Sequence, residues 1–241
     1  MAFSHGSKAR LYIAGYDFTG FLKGVKAPVE IDKAEVTTLN KTSRCYIPGL
    51  QTATLSAEGF YDGSAGAIDD VLRQITGLAS AVMAHLPAGD GIGKTAVCME
   101  AIETSYEDDT SVDDAAQLSF EAQSNVGAER CLILHALGAE TVGGQAAGQD
   151  NTAPTTFGGA GYVIATVPAA NAPTVKIQHS TDNNTYADLL TFNPLATGRF
   201  HQRQEVAPGV TINRYVRALW TTVGACPPFF VALYRRPVEL P

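Results

Sequence analysis

The sequence predicts an all-β chain with one short helix, arranged as a β-sandwich or barrel followed by a smaller antiparallel β-sandwich. Three observations carry that expectation. Apolar residues recur with period two in many short runs. Gly, Pro, Asn and Asp punctuate those runs at intervals that suit turns rather than helices. Only one stretch shows a helical stripe.

Taken in order, Ala9, Leu11 and Ile13 alternate with Lys8, Arg10 and Tyr12, and Val29, Ile31 and Lys33 alternate with Glu30, Asp32 and Ala34. Val36-Thr37-Thr38 reads as the start of a strand, 40–44 as a polar loop, and Ile47-Pro48-Gly49 as a turn. From Thr54 the alternation resumes, with Leu55, Ala57, Gly59 and Tyr61 on one face. The segment from Leu39 to Leu50 is thus expected to be a long arm between two strands, and an arm of that length is ordered only if something docks onto it.

The helix is expected over Ala65 to Thr76, where Ile68, Val71, Leu72 and Ile75 form one apolar stripe. Ser64 suits its N-cap, Asp69 and Asp70 its positive end, and Gly77 its stop. Leu118, Phe120 and Ala122 give the cleanest half-buried strand. Cys131 to Leu137 is apolar on both faces and fits a covered central strand.

Residues 139–160 lose all periodicity and are rich in Gly, Ala, Thr and Gln, the composition of a linker. Strand signals return at 162–167, 174–179, 186–190, 210–220 and 229–234. The expected organisation is therefore a domain over 1–138, a linker over 139–160 and a separable β-sandwich over 161–241.

With 45% hydrophobic and 17% charged residues, 241 residues can bury a core. No window approaches 18 uninterrupted apolar residues, so no membrane span is expected. The opening residues lack the apolar core of a secretion signal, which points to synthesis and retention in a cytosol. Residues 1–145 hold 19 Asp and Glu against 10 Lys and Arg, a balance of −9; the remainder has 5 against 7, a balance of +2. Such an acidic first part argues against tight binding of nucleic acid. Cys45, Cys98, Cys131 and Cys226 are isolated in or beside apolar runs, as buried free thiols are. The five histidines show no metal-ligand spacing. No cofactor is expected.

Each candidate for chemistry has a plainer reading. Ala88 to Thr95 satisfies a relaxed phosphate-loop pattern, but Ala96 to Glu103 continues as a strand, whereas a phosphate cradle needs a helix start there. A Gly-rich hairpin loop is the better account. Glu30, Asp32, Glu35 and Glu58 could supply a hydrolase pair by residue type, but solvent-facing strand positions are the better account, since the aromatics expected around a sugar-cleaving pair are only scattered here. Trp220, the only tryptophan, suits a sandwich core better than a sugar platform. The chain is expected not to be an enzyme.

Longer wordings carry a resemblance. Val36-Thr37-Thr38 leads through a polar loop and Tyr46-Ile47-Pro48-Gly49-Leu50 to Glu58-Gly59-Phe60-Tyr61-Asp62, then a short helix. Further on stand Leu134-His135-Ala136-Leu137-Gly138, residues 179–189 (HSTDNNTYADL), Arg203-Gln204-Glu205-Val206 and residues 210–217. The chain resembles the major tail tube (tail-shaft) proteins of long-tailed bacteriophages, with the C-terminal β-sandwich often appended to them.

That resemblance implies a tail-tube-type β domain and a structural virion protein, assembled in the host cytoplasm into a phage tail. Copies would form hexameric rings stacked into a tube around a tape-measure protein, closed by a tail terminator protein. Double-stranded DNA would pass through without tight binding, so a mildly acidic wall suits the lumen. On this reading Asn40, Lys41, Thr42, Ser43, Arg44 and Tyr46 belong to an assembly arm. Glu30, Asp32 and Glu58 are the candidate lumen-facing acids, and the second sandwich sits outside the tube. The alternative is a carbohydrate-binding or adhesive pair of β-sandwich modules.

Overall fold

The computed structural model describes residues 6–39, 42–77, 80–166, 172–195, 199–222 and 224–237. The fold is all-β, with a single α-helix among the described residues. After a 3-10 turn come β1 (Arg10–Ile13), β2 (Tyr16–Asp17), β3 (Leu22–Lys26), β4 (Val29–Glu35), β5 (Tyr46–Phe60), α1 (Ile68–Ile75), β6 (Ala81–Leu86) and β7 (Thr95–Asp109). Then follow β8 (Gln117–Ser124), β9 (Glu129–Gly138), β10 (Gly144–Gln145), β11 (Gln149–Asp150), β12 (Gly159–Ala165) and β13 (Thr174–Ser180). The last are β14 (Ala187–Thr191), β15 (Phe200–Val206), β16 (Tyr215–Thr221) and β17 (Phe229–Arg235). No described helix is long and apolar enough to cross a membrane.

The chain divides into two compact units, Met1–Gly20 with Ala81–Cys98 and Glu129–Pro241, and Phe21–Ser80 with Met99–Ala128. In the first unit the strands run in the order β15-β12-β17-β9-β7-β6-β1-β2, joined at β7 by its opening residues Thr95–Cys98. A second sheet has the order β10-β16-β13-β14, with β11 also on β16. β12 is buried along its whole length and β17 from Phe229 to Leu233, because alternate residues enter two different cores. Val163, Ala165, Phe229, Val231 and Leu233 pack with Val175, Ile177, Val216 and Trp220 between the sheets. Ala160, Tyr162, Ile164, Phe230 and Ala232 pack with Tyr12, Val82, Cys98, Cys131 and Ile133 on the other side. Glu129 and Arg203 are paired at 2.8 Å within this unit, and the Tyr162 hydroxyl donates to the same carboxylate. Burying that charge is tolerable because both its oxygens are engaged.

This corrects the expected division at residues 139–160. β17 pairs directly with β9, Tyr234 opposite Cys131 and Leu233 opposite Leu132, so residues on either side of the presumed linker share one sheet and one core. The segment itself is an edge of the second sheet. Gly144 pairs with Trp220, Gln149 with Val216 and Thr155 with Ile212, while Arg214 grips Asp150 through two nitrogens at 2.7 and 2.6 Å. Its glycine content reflects close approach as well as freedom: a Cβ at Gly144 would stand 2.9 Å from the Trp220 ring.

The second unit is organised on β5. Its Leu55, Ala57 and Gly59 are buried and alternate with outward residues, and β5 pairs with β3, β4 and β8, β8 in turn with the later part of β7. α1 buries Ile68, Val71, Leu72 and Ile75, as its stripe predicts. It is shorter than expected, and its N-cap is Ala67 without a side-chain bond rather than Ser64. Ser64 instead donates its amide to Asp62 and accepts from Ala67 N–H in a turn before the helix. Gly77, at φ 77°, ends the helix as read.

Of the remaining expectations, 36–38 lies beyond β4 rather than in a strand, and Ile47-Pro48-Gly49 lies inside β5 rather than in a turn. There a bulge sets Asp32 against Gly49 and Leu50, which accommodates Pro48 at an edge. Val167, placed in a strand by pattern, falls outside the described residues. Ala88 to Lys94 is a loop between β6 and β7, with Lys94 Nζ turned back 2.9 Å from Ala88 O, and a strand follows it.

Candidate functional site

β4 and the first half of β5 form a two-stranded ribbon that no third strand covers among the described residues. Val29 pairs with Ala53, Glu30 with Thr52, Ile31 with Gln51, Ala34 with Ile47 and Glu35 with Tyr46. Val36 N–H donates to Cys45 O at 2.8 Å and Cys45 N–H to Thr37 Oγ1 at 3.0 Å, which closes the loop base. Lys33 lies over the Tyr46 ring at 5.1 Å, and Arg44 stands 4.0 Å from Glu35. The arm is thus a paired hairpin rather than the loop expected from Leu39 to Leu50.

Most of its side chains nonetheless face solvent. Every residue of β4 is exposed, and so is β5 from Tyr46 to Gln51. The exposed apolar residues include Val29 (47%), Ile31 (59%), Ile47 (53%) and Leu50 (81%). A lone two-stranded hairpin is marginal in water, and clustered exposed apolar residues mark interaction surfaces. Charge on the arm is balanced, with Glu30, Asp32 and Glu35 against Lys33, Lys41 and Arg44. Thr42, Ser43, Arg44 and Tyr46 are all exposed at its far end, while Asn40 and Lys41 lie outside the described residues.

A second feature lies on the polar face of β3, β5, β8 and β7. Glu58 and Glu107 are both opposite Ser119, and Glu121 is opposite Ser56 and Ser105. These residues border one groove together with Gly24, Lys26, Ala57 and Phe120. Three carboxylates facing one groove with a single lysine give an acidic strip. Glu58 was legible as a candidate; Glu107 and Glu121 were not, because the pairing of β5 and β7 through β8 is what gathers them. Glu30 and Asp32 are exposed on the arm, away from this groove in register, so the three named acids do not form one cluster.

α1 is fastened to this unit by a polar knot. Asp69 accepts from Tyr61 hydroxyl at 3.2 Å, from Arg73 Nε at 2.9 Å and from the Tyr106 hydroxyl. Burial alone would raise the Asp69 carboxyl, but these three donors outweigh it and hold the group below its usual range. In the first unit Trp220 is buried between the sheets, donating from Nε1 to Val142 O at 3.1 Å, which fits a core residue.

No protein-family model matches the sequence, and no curated protein matches it. Solved structures with similar chains include the tail of an empty gene transfer agent particle refined with C6 helical symmetry, at 17% identity. That likeness covers 53% of this chain and 98% of that one, with a TM-score of 0.43. The SPP1 Dit protein, described as a hub adsorption apparatus of phages infecting Gram-positive hosts, is 9% identical. It covers 94% of this chain and 98% of that one, with a TM-score of 0.40. A chain of the phage p2 baseplate in its activated conformation is 8% identical over 96% of this chain and 99% of that one, with a TM-score of 0.36.

Proposed function

We propose that the chain is a structural subunit of a bacteriophage tail, one that assembles with copies of itself through the β4–β5 arm. The carrying observation is that ribbon: backbone-paired along its length, yet exposing Val29, Ile31, Ile47 and Leu50 to water. A surface of that kind is completed by another protein chain rather than by a small molecule. The wording resemblance implies hexameric rings stacked into the tail tube as the form of that assembly, with tape-measure and terminator proteins as further partners. The acidic strip of Glu58, Glu107 and Glu121 suits a wall past which double-stranded DNA slides without being held.

Negative-stain microscopy and sedimentation of the purified chain test this reading. Rings or tubes are expected for the intact chain. Deleting residues 40–44 should leave a folded subunit that no longer polymerises. A chain that stays monomeric at every concentration, or a deletion that polymerises normally, would overturn the proposal.

A further inference from the structure

Glu103 on β7 is a buried carboxyl, 7% exposed. Among the described residues it has no ion-pair partner and its Oε1 no hydrogen-bond partner. Its Oε2 lies 3.2 Å from Thr76 Oγ1, at the C-terminal end of α1. That threonine hydroxyl also lies 2.8 Å from Leu72 O, which the Thr76 amide reaches at 2.9 Å.

Counting protons decides the arrangement. The hydroxyl has one proton, and the Leu72 carbonyl can only accept. With that proton on the shorter contact, Thr76 Oγ1 turns a lone pair toward Glu103. The contact is then a hydrogen bond only if the carboxyl carries the proton and donates it. An ionised Glu103 would leave Oε1 with no donor, and would set a negative charge beside the negative end of α1.

The surrounding charges are committed elsewhere. On α1, Asp69 and Arg73 are paired with each other. On β7, Glu100 accepts from the Ser80 hydroxyl, Tyr106 donates to Asp69, and Asp108 stands 4.0 Å from Arg73. On β8, the residue opposite Glu103 is Ala122. Arg73, Thr76, Thr104, Ser105 and Tyr106 border an open depression at Glu103, which gives water a route to the site.

We infer that Glu103 is a proton-gated lock on the C-terminal turn of α1: protonated, it donates to Thr76 and ties the helix end to β7, and ionised, it releases that end. Burial pushes the Glu103 carboxyl up to about 7; a Thr76 hydroxyl donating to it would pull the other way, whereas one that accepts its proton favours the protonated form. The folded value is above the unfolded one, so the stabilisation is fully present at low pH and is lost as pH rises through about 7.

Amide hydrogen exchange of the intact chain, corrected for intrinsic rates, reads the lock at residues 72–76, alongside carboxyl NMR of Glu103. Protection of the Thr76 amide should fall by on the order of tenfold to a hundredfold between pH 5 and pH 8. In Glu103→Gln the side-chain amide donates at any pH, so protection should stay level across that range. A flat profile in the unmodified chain, an unchanged slope in the Gln variant, or a Glu103 carboxyl titrating below pH 5 would each overturn the inference. The carboxyl measurement stands even if the variant fails to fold.

Discussion

Two stretches of this chain look alike in composition and end up in opposite circumstances. Residues 36–50 and 139–160 are both polar, short of apolar periodicity and punctuated by Gly or Pro. The second is closed within the molecule: its backbone runs along β16, Ala146 is buried, Val142 O takes the Trp220 indole proton, and Asp150 holds Arg214. The first contributes to a ribbon whose backbone is paired while Ile47 and Leu50 stay in solvent. Composition reports side-chain polarity and says nothing of where the backbone groups pair. A polar segment can therefore be a sheet edge or an arm, and only the fate of its few apolar residues separates the two.

The largest test of that contrast is truncation after Gly138. A separable second domain would leave residues 1–138 folded. The structure predicts collapse, because β12 and β17 supply Ala160, Tyr162, Ile164, Phe230 and Ala232 to the core that holds Tyr12, Cys131 and Ile133. Removing them exposes β9 along the edge that pairs with β17. Circular dichroism and solubility should show an unfolded or aggregated product, and a cooperative thermal transition in the truncated chain would restore the two-domain view.

That case also shows what was legible. Alternation gave β8, strand signals placed β12, β13 and β17 within a few residues, and the stripe of Ile68, Val71, Leu72 and Ile75 gave α1. The apolar run of β9 announced a strand covered on both faces. Which strand pairs with which was not legible: β17 meets β9 across some 90 residues of chain, and local pattern has no term for such long-range pairing. The same limit hid the acidic groove. Glu107 reads as part of a solvated charge run until β8 sets it across from Ser119, with Glu58 on the other side. Glu103 was hidden differently: on β7 it takes the buried place and Ile102 the exposed one, the reverse of what their polarity suggests.

A smaller effect separates an anchor of the closed segment from the arm. Trp220 touches His135 and Phe229 at ring distances of 4.8 and 5.8 Å and lies under Gly144. Trp220→Ala should cost about 3–5 kcal/mol by leaving a cavity between the sheets and Val142 O without its donor. Chemical denaturation with the slope unchanged would measure it. A loss under about 1 kcal/mol would mean that the segment closes on β16 through its backbone pairs alone.

The smallest expected change in stability is on the arm, and it sharpens the comparison most. Ile31 and Leu50 are 59% and 81% exposed, so replacing them with Ser removes little buried surface. Ile31→Ser with Leu50→Ser should leave the denaturation midpoint of the subunit within about 0.5 kcal/mol of the parent. Self-association should nonetheless be lost, because in an assembled state the same side chains would be the ones withdrawn from water, at roughly 25 cal/mol per Å² of apolar surface. Analytical ultracentrifugation over a concentration series would separate the two readouts. If stability falls by several kcal/mol, the arm is packed within the subunit and its exposure is not the basis of assembly. If stability and association are both unchanged, copies meet through another surface, and the contrast between a closed edge and an open arm has no functional meaning. Loss of association at constant stability is the outcome that an arm completed by a second copy requires.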